Sequence, residues 1–262
     1  MTVKINILSK VELVEPLLLA AWPGMGHVAL KAFIFLHEAL RAHDLAYVEE
    51  PGFFRVPGIS IQNGLVQSTL LPRSGFYYWK RTDGQGDLLF FVGDQQPVGG
   101  KEYELASAVL DFARSFGVKK VITAAAMPTA INHYQPSRVW ITATHKKMLS
   151  DLSPYCEQVL QEGQVSGMNG LLLGVAKQMR MEGFCLLGEI PFYTTEIENP
   201  KASMSVLEVL SKYLALKIDF KDLKDLAKET EKEIDHYLLE LQQREQDDEK
   251  QTEDQEGPVT VH

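Results

Sequence analysis

The chain is short of cysteine, of basic charge and of long apolar runs, and each shortage excludes a class of protein. Two cysteines, Cys156 and Cys185, in 262 residues are too few for a disulfide scaffold. Cys185 lies in the apolar run Phe184 to Leu187, the setting of a buried reduced thiol, and a cytoplasmic compartment suits both cysteines. The first apolar run, Leu17 to Trp22, is closed by Pro16 and Pro23 and is neither a signal peptide nor a membrane span. Nothing else approaches the ~18 continuous apolar residues that a span requires, so a soluble chain with no membrane partner is expected. Lys and Arg total 26 against 35 Asp and Glu, a net charge of -9, which lacks the basic footprint of a nucleic-acid binder. There is no G-x-S-x-G elbow, no P-loop and no H-E-x-x-H helix. The sequence therefore nominates no catalytic residue, no metal site and no cofactor.

What is present is an ordinary globular balance, 45% apolar and 23% charged, long enough to bury a sizeable core. The acidity is concentrated at one end. From Lys221 to His262 there are 6 basic and 14 acidic residues, whereas the preceding 220 residues carry 20 and 21. Three parts follow: a domain over 1–219, an amphipathic helix over 220–243 and an acidic tail over 244–262. Arg244 to Glu256 holds no apolar residue, which predicts disorder there.

Within the domain, Leu17 to Trp22 reads as a buried strand and Val28 to Leu40 as a helix that is apolar nearly all round. Leu45 to Val48, Ile59 to Val66, Gly75 to Arg81 and Asp87 to Val92 form strand-like runs with loop signals between them, which predicts an antiparallel meander. Helix and strand then alternate. Helices are expected over Tyr103 to Phe116 (closed by Gly117), Asn169 to Arg180 and Ser203 to Leu216, with strands at Val118 to Ala126, Arg138 to Thr144 and Phe184 to Ile190. Near-continuous apolar strands require cover on both faces, so the expected fold is a three-layer α/β/α domain with a mixed sheet. Phe220, Leu223, Ala227, Thr230, Ile234, Tyr237 and Leu241 then follow steps of three and four residues. That seam either docks on a partner, through Phe220, Leu223, Ile234, Tyr237 and Leu241, or packs on its own domain.

The sharpest local pattern is Gly24-Met25-Gly26-His27-Val28-Ala29, a G-x-G-x-x-A turn between a strand and a helix. Such glycines serve a dinucleotide fingerprint, with Glu49 or Glu50 as the ribose acid, or an anion-facing turn, or close packing of helix on strand. Pro23 and the meander that follows argue against the dinucleotide reading. The loops Pro23 to His27, Gly93 to Pro97, Met127 to Thr129 and Glu189 to Thr195 each follow an apolar strand, and ligands bind at that edge of α/β sheets. Candidate ligand residues are therefore Gly24, Met25, Gly26, His27, Asp94, Asn169, Glu189, Tyr193 and Thr194.

Several of these segments occur in a recognisable order. They are Pro23-Gly24-Met25-Gly26, Pro57-Gly58-Ile59-Ser60, Gly93-Asp94-Gln95-Gln96-Pro97, Met127-Pro128-Thr129, Ser166-Gly167-Met168-Asn169-Gly170, Glu189-Ile190-Pro191 and Asn199-Pro200. Over roughly residues 10 to 220 the chain resembles the proteasome assembly chaperone family. The resemblance implies a purine nucleoside phosphorylase-like fold and a non-catalytic interaction protein that self-associates and binds proteasome α subunits. Some relatives carry a terminal hydrophobic-Tyr-any-residue motif, and here Val261 stands where that tyrosine would be. The alternative is a nucleoside- or phosphate-binding protein, or a phosphorylase-like enzyme, using the strand-end loops.

Overall fold

The computed structural model describes residues 3–49, 51–55, 58, 60–67, 74–156 and 158–255, giving the backbone alone for residue 51 and for 241–242 and 244–255. Glu50, Pro57, Ile59, Pro72, Arg73, the Leu241 side chain and residues 256–262 with Val261 lie outside the described residues.

Seven strands and two helices build the first half of the chain among the described residues. Strands β1 (Ile5–Ile7) and β2 (Leu17–Ala21) precede helix α1 (Val28–Ala39), and β3 (His43–Val48) follows it. A hairpin of β4 (Ile61–Gln62) and β5 (Leu65–Val66) comes next, then β6 (Ser74–Trp79), β7 (Leu88–Val92) and helix α2 (Glu102–Ser115). The run expected as one strand over 59–66 instead folds back on itself at Asn63 and Gly64. Both adopt positive φ, 53° and 77°, the backbone a two-residue hairpin turn demands, so the hairpin leaves the meander as a separate small sheet. The meander is β3, β6 and β7, each antiparallel to the next.

Strand β8 (Lys120–Thr129), β9 (Val139–Ala143), helix α3 (Lys146–Leu152) and β10 (Gln158–Val159) lead to helix α4 (Gly167–Gln178), β11 (Glu182–Pro191), helix α5 (Pro200–Tyr213) and helix α6 (Lys221–Gln255). Gly117 closes α2 with φ +87°, as a left-handed C-cap requires. Helix α5 begins on Asn199, whose side chain accepts the Ala202 N–H, with Pro200 in the first turn where its missing N–H costs nothing. Elements β1, α3 and β10 had no distinct apolar signal, being two to seven residues long.

The large sheet has the order β1-β3-β6-β7-β2-β8-β11-β9-β10. Its centre, β7-β2-β8-β11, is parallel throughout. Residues Leu19, Ile122, Phe184 and Leu186 face one cluster with α1, α3 and α5, whereas Leu18, Phe91 and Val121 face a second with α2 and α4. The three-layer α/β/α architecture with a mixed sheet is thus realised. Strand β3, which carries Glu49 at its end, lies three positions from β2 rather than beside it. Glu49 instead binds Lys4 and Asn6, so the dinucleotide reading fails on topology.

Helix α6 continues through Gln255, beyond the end at 243 read from the apolar seam. Residues 244–255 hold no apolar residue, but half of them are Glu or Gln, which are good helix formers. Among the described residues, no helix is long and apolar enough to cross a membrane.

Candidate functional site at the carboxyl edge of the sheet

Because β7, β2, β8 and β11 run in parallel, the loops after them share one edge. The glycine turn after β2 is spent on packing. Gly26 adopts φ +58°, and its N–H donates to the Thr195 carbonyl at 2.8 Å while its carbonyl accepts the Asn199 N–H at 2.8 Å. A Cβ at Gly26 would sit 3.2 Å from the Asn199 Cβ. The His27 N–H donates to the Gly24 carbonyl at 2.9 Å, and Glu198 lies beside the His27 ring and the Lys31 ammonium. The bond from Lys31 holds the Glu198 carboxyl below its ordinary value, so an acid already fills the anion-favouring end of α1. In the turn Gly24 to His27, the Gly26 and His27 N–H groups are thus taken by the Thr195 and Gly24 carbonyls.

Asn169 is a strap between β2 and its surroundings. The Ala21 carbonyl faces β7, where the Gly93 N–H donates to it at 2.9 Å. Alternation along the strand turns the Trp22 backbone groups to the opposite side, toward β8. There the Asn169 amide takes both: Oδ1 accepts the Trp22 N–H at 2.9 Å and Nδ2 donates to the Trp22 carbonyl at 3.1 Å. The residue is buried, and one N–H of its amide remains beyond these two bonds.

Glu189 is buried on β11 and faces β9. Its carboxylate accepts from Arg138 Nε at 3.0 Å, Arg138 Nη2 at 3.1 Å and Trp140 Nε1 at 2.9 Å. Burial pushes its pKa up, but the Arg138 and Trp140 bonds prevail and hold it below the ordinary value. The Arg138 side chain itself is 60% exposed.

Tyr193 belongs to a different constellation. Its oxygen accepts the His133 N–H at 3.0 Å, and its own proton is donated to His133 Nδ1 at 2.8 Å. His133 Nε2–H then donates to Asp235 Oδ1 at 3.0 Å, and the Tyr134 hydroxyl donates to Asp235 Oδ2. The Tyr134 bond foremost keeps the Asp235 carboxyl below its ordinary value. Since Asp235 stands on α6, the chain Tyr193–His133–Asp235–Tyr134 is a clasp from the loops to the C-terminal helix, supported by Lys201 with Glu231. Thr194 is buried and donates to the Pro191 carbonyl, and Asp94 is exposed in the loop after β7.

Of the nine candidates, the structure gathers Gly24, Met25 and Asn169 on one cleft of about 520 Å³. Its walls are Pro23 to Met25, Gln96, Ala125 to Pro128, Leu160 and the loop 163–167. Its described lining holds no Lys, Arg, His, Asp or Glu. Gly26, His27, Asp94, Glu189, Tyr193 and Thr194 do not line it. Sequence reasoning missed His133, Asp235, Arg138 and Trp140. Asp235 directly follows a seam residue, Ile234, on the buried side of α6, and that position was the one available signal.

The α6 seam is used inside the chain. Leu223, Ala227, Thr230 and Ile234 are buried, and Phe220 stacks on Phe35 with centroids 6.2 Å apart. Leu223, Ile234 and Phe220 therefore pack on their own domain, because α5 and α1 cover that face. Among the described seam side chains, Tyr237, 46% exposed, faces outward.

The fold has counterparts among solved structures. Pyrococcus furiosus PbaB, described as an archaeal proteasome activator, is 30% identical, with a TM-score of 0.79 over 90% of this chain and 98% of that one. Pyrococcus furiosus PbaA, an archaeal homologue of proteasome-assembly chaperone, is 23% identical, with a TM-score of 0.71 over 98% of this chain and 100% of that one. The Mycobacterium tuberculosis proteasome-assembly chaperone homologue Rv2125 is 17% identical, with a TM-score of 0.70 over 84% and 94% of the two chains. No curated protein matches the sequence. The model of the PAC2 family matches residues 18–238, from within β2 to just past the clasped part of α6, and the chain belongs to the PAC2 family.

Proposed function

We propose that this chain is a non-catalytic binding protein that acts on the proteasome, in the manner of an assembly chaperone or activator, as a homo-oligomer in the cytoplasm. The observation that carries the reading is the likeness to PbaB at 30% identity across nearly the whole of both chains. The polar groups at the sheet edge favour it over phosphate or nucleoside chemistry. Asn169 is committed to Trp22, Glu189 to Arg138 and Gly26 to Thr195, and the cleft between them has no charged lining. A phosphate site needs donors or cations aimed at the ligand. Affinity capture of the tagged full chain from the lysate of its own organism, read by mass spectrometry, tests the proposal. Co-purification of proteasome α subunits is the expected result. Recovery of the chain alone overturns the proteasome reading, and a monomer mass by light scattering overturns the homo-oligomer.

A further inference from the structure

The central strand β8 has an open edge inside the cleft, and we propose that this edge binds an extended, uncharged peptide segment as an added strand. Strand β8 pairs with β11 along its whole length, from Lys120–Glu182 to Thr129–Pro191. On its other side the register with β2 ends at Ala20–Thr123. Beyond that point β2 is led away, because Asn169 takes the Trp22 backbone groups that faced β8 and Pro23 turns the chain. The last six residues of β8, Ala124 to Thr129, are thus paired in the sheet on one side only, although the strand lies at the middle of nine.

The cleft follows this edge. Four consecutive residues, Ala125, Ala126, Met127 and Pro128, line the same cleft. Successive side chains point to opposite faces of a sheet, so a cavity touching all four runs along the strand's edge. Pro128 has no N–H to give to a ladder and so suits an edge position, where an added strand would pair with the backbone groups on either side of it. Unpaired strand edges are templates for peptide addition, with main-chain bonds giving affinity and side-chain pockets giving selectivity. The lining fixes the chemistry of the segment. With Ala125, Met127, Leu160, Val165 and Leu187 along the walls and no charge, it excludes acidic and basic side chains and takes small or β-branched neutral ones. This inference goes beyond the proteasome reading and does not depend on which protein supplies the segment.

The test uses the isotope-labelled full chain and three capped tetrapeptides: acetyl-Thr-Val-Thr-Val-amide, the same peptide N-methylated at alternate residues, and acetyl-Glu-Val-Glu-Val-amide. Amide NMR spectra are recorded to peptide concentrations of about 1 mM, the range of weak strand addition. The neutral peptide is expected to shift the amides of Gly24, Met25 and the 124–129 segment saturably. The N-methylated and acidic peptides, and the neutral peptide on a Met25→Trp chain, are expected to bind at least about tenfold more weakly. Absence of saturable shifts at 124–129 overturns the proposal. Equal binding of the neutral and N-methylated peptides also overturns it, since the cleft then takes neutral molecules without strand pairing. The lysate capture reads the proteasome proposal separately, so either can fail alone.

Discussion

Asn169 was a ligand candidate by sequence and is a structural strap by geometry, and one substitution separates the two. In Asn169→Ala the Trp22 N–H and carbonyl lose their partners, and Trp22 is fully buried. An orphaned buried donor costs about 1–3 kcal/mol and the lost carbonyl bond about 1 more, so the variant should be destabilised by about 2–4 kcal/mol. Alanine is smaller than the asparagine it replaces, so the variant adds no clash. With an m-value of about 2–3 kcal/mol/M, the urea midpoint should fall by about 1 M. Asn169→Asp keeps an acceptor for the N–H but sets a carboxylate oxygen against the Trp22 carbonyl. Its deficit should be as large at neutral pH and shrink on acidification, when the protonated carboxyl can donate. A midpoint shift below about 0.2 M for Asn169→Ala would refute the strap and return Asn169 to the ligand candidates.

Arg138→Ala should destabilise more than Glu189→Gln, because the first leaves a buried carboxylate with only the Trp140 bond and the second frees an exposed guanidinium. Glu189 lies below its ordinary pKa, so its contribution is complete above the ordinary carboxylate range and is lost as pH falls through the depressed value. In Arg138→Ala burial is largely unopposed, so the gap to the wild type should narrow as pH falls; denaturation series across acid pH check both. Asp235→Asn removes the charge from the α6 clasp, and amides 227–235 should exchange about 5–30 times faster at neutral pH, with unchanged rates refuting the clasp. Burial pushes the Cys185 thiol up to about 12, so Ellman's reagent should label it only after unfolding.

The layers were legible because period and punctuation survive in the sequence. Leu17 to Ala21 and Phe184 to Leu187 are apolar without alternation, which only a doubly covered strand tolerates, and Gly117 and Asn199-Pro200 mark helix ends by backbone chemistry. The hairpin at 61–66 was read as one strand, because a two-residue turn inside an apolar run changes direction without changing composition. The shared edge of the loops was also legible, since it follows from strand direction. The partners of its polar residues were not. Glu189 and Arg138 are 51 residues apart and His133 and Asp235 are 102 apart, distances over which no local pattern carries information. Asn169 looked like a ligand residue for the same reason: its two bonds go to a backbone, which has no side-chain signature.

The outermost strands, β1 and β10, are three and two residues long. A sheet of nine strands grows into fibres when a neighbour can zip along a long flat border, and these borders offer only two or three rungs. Polymerisation by joining sheets is thereby blunted at both ends. The longer unpaired stretch, at Ala124 to Thr129, is recessed between the β2 turn and the 163–167 loop. A cleft of about 520 Å³ has no room for another folded sheet, so an edge that accepts a single strand there stays out of reach of runaway stacking.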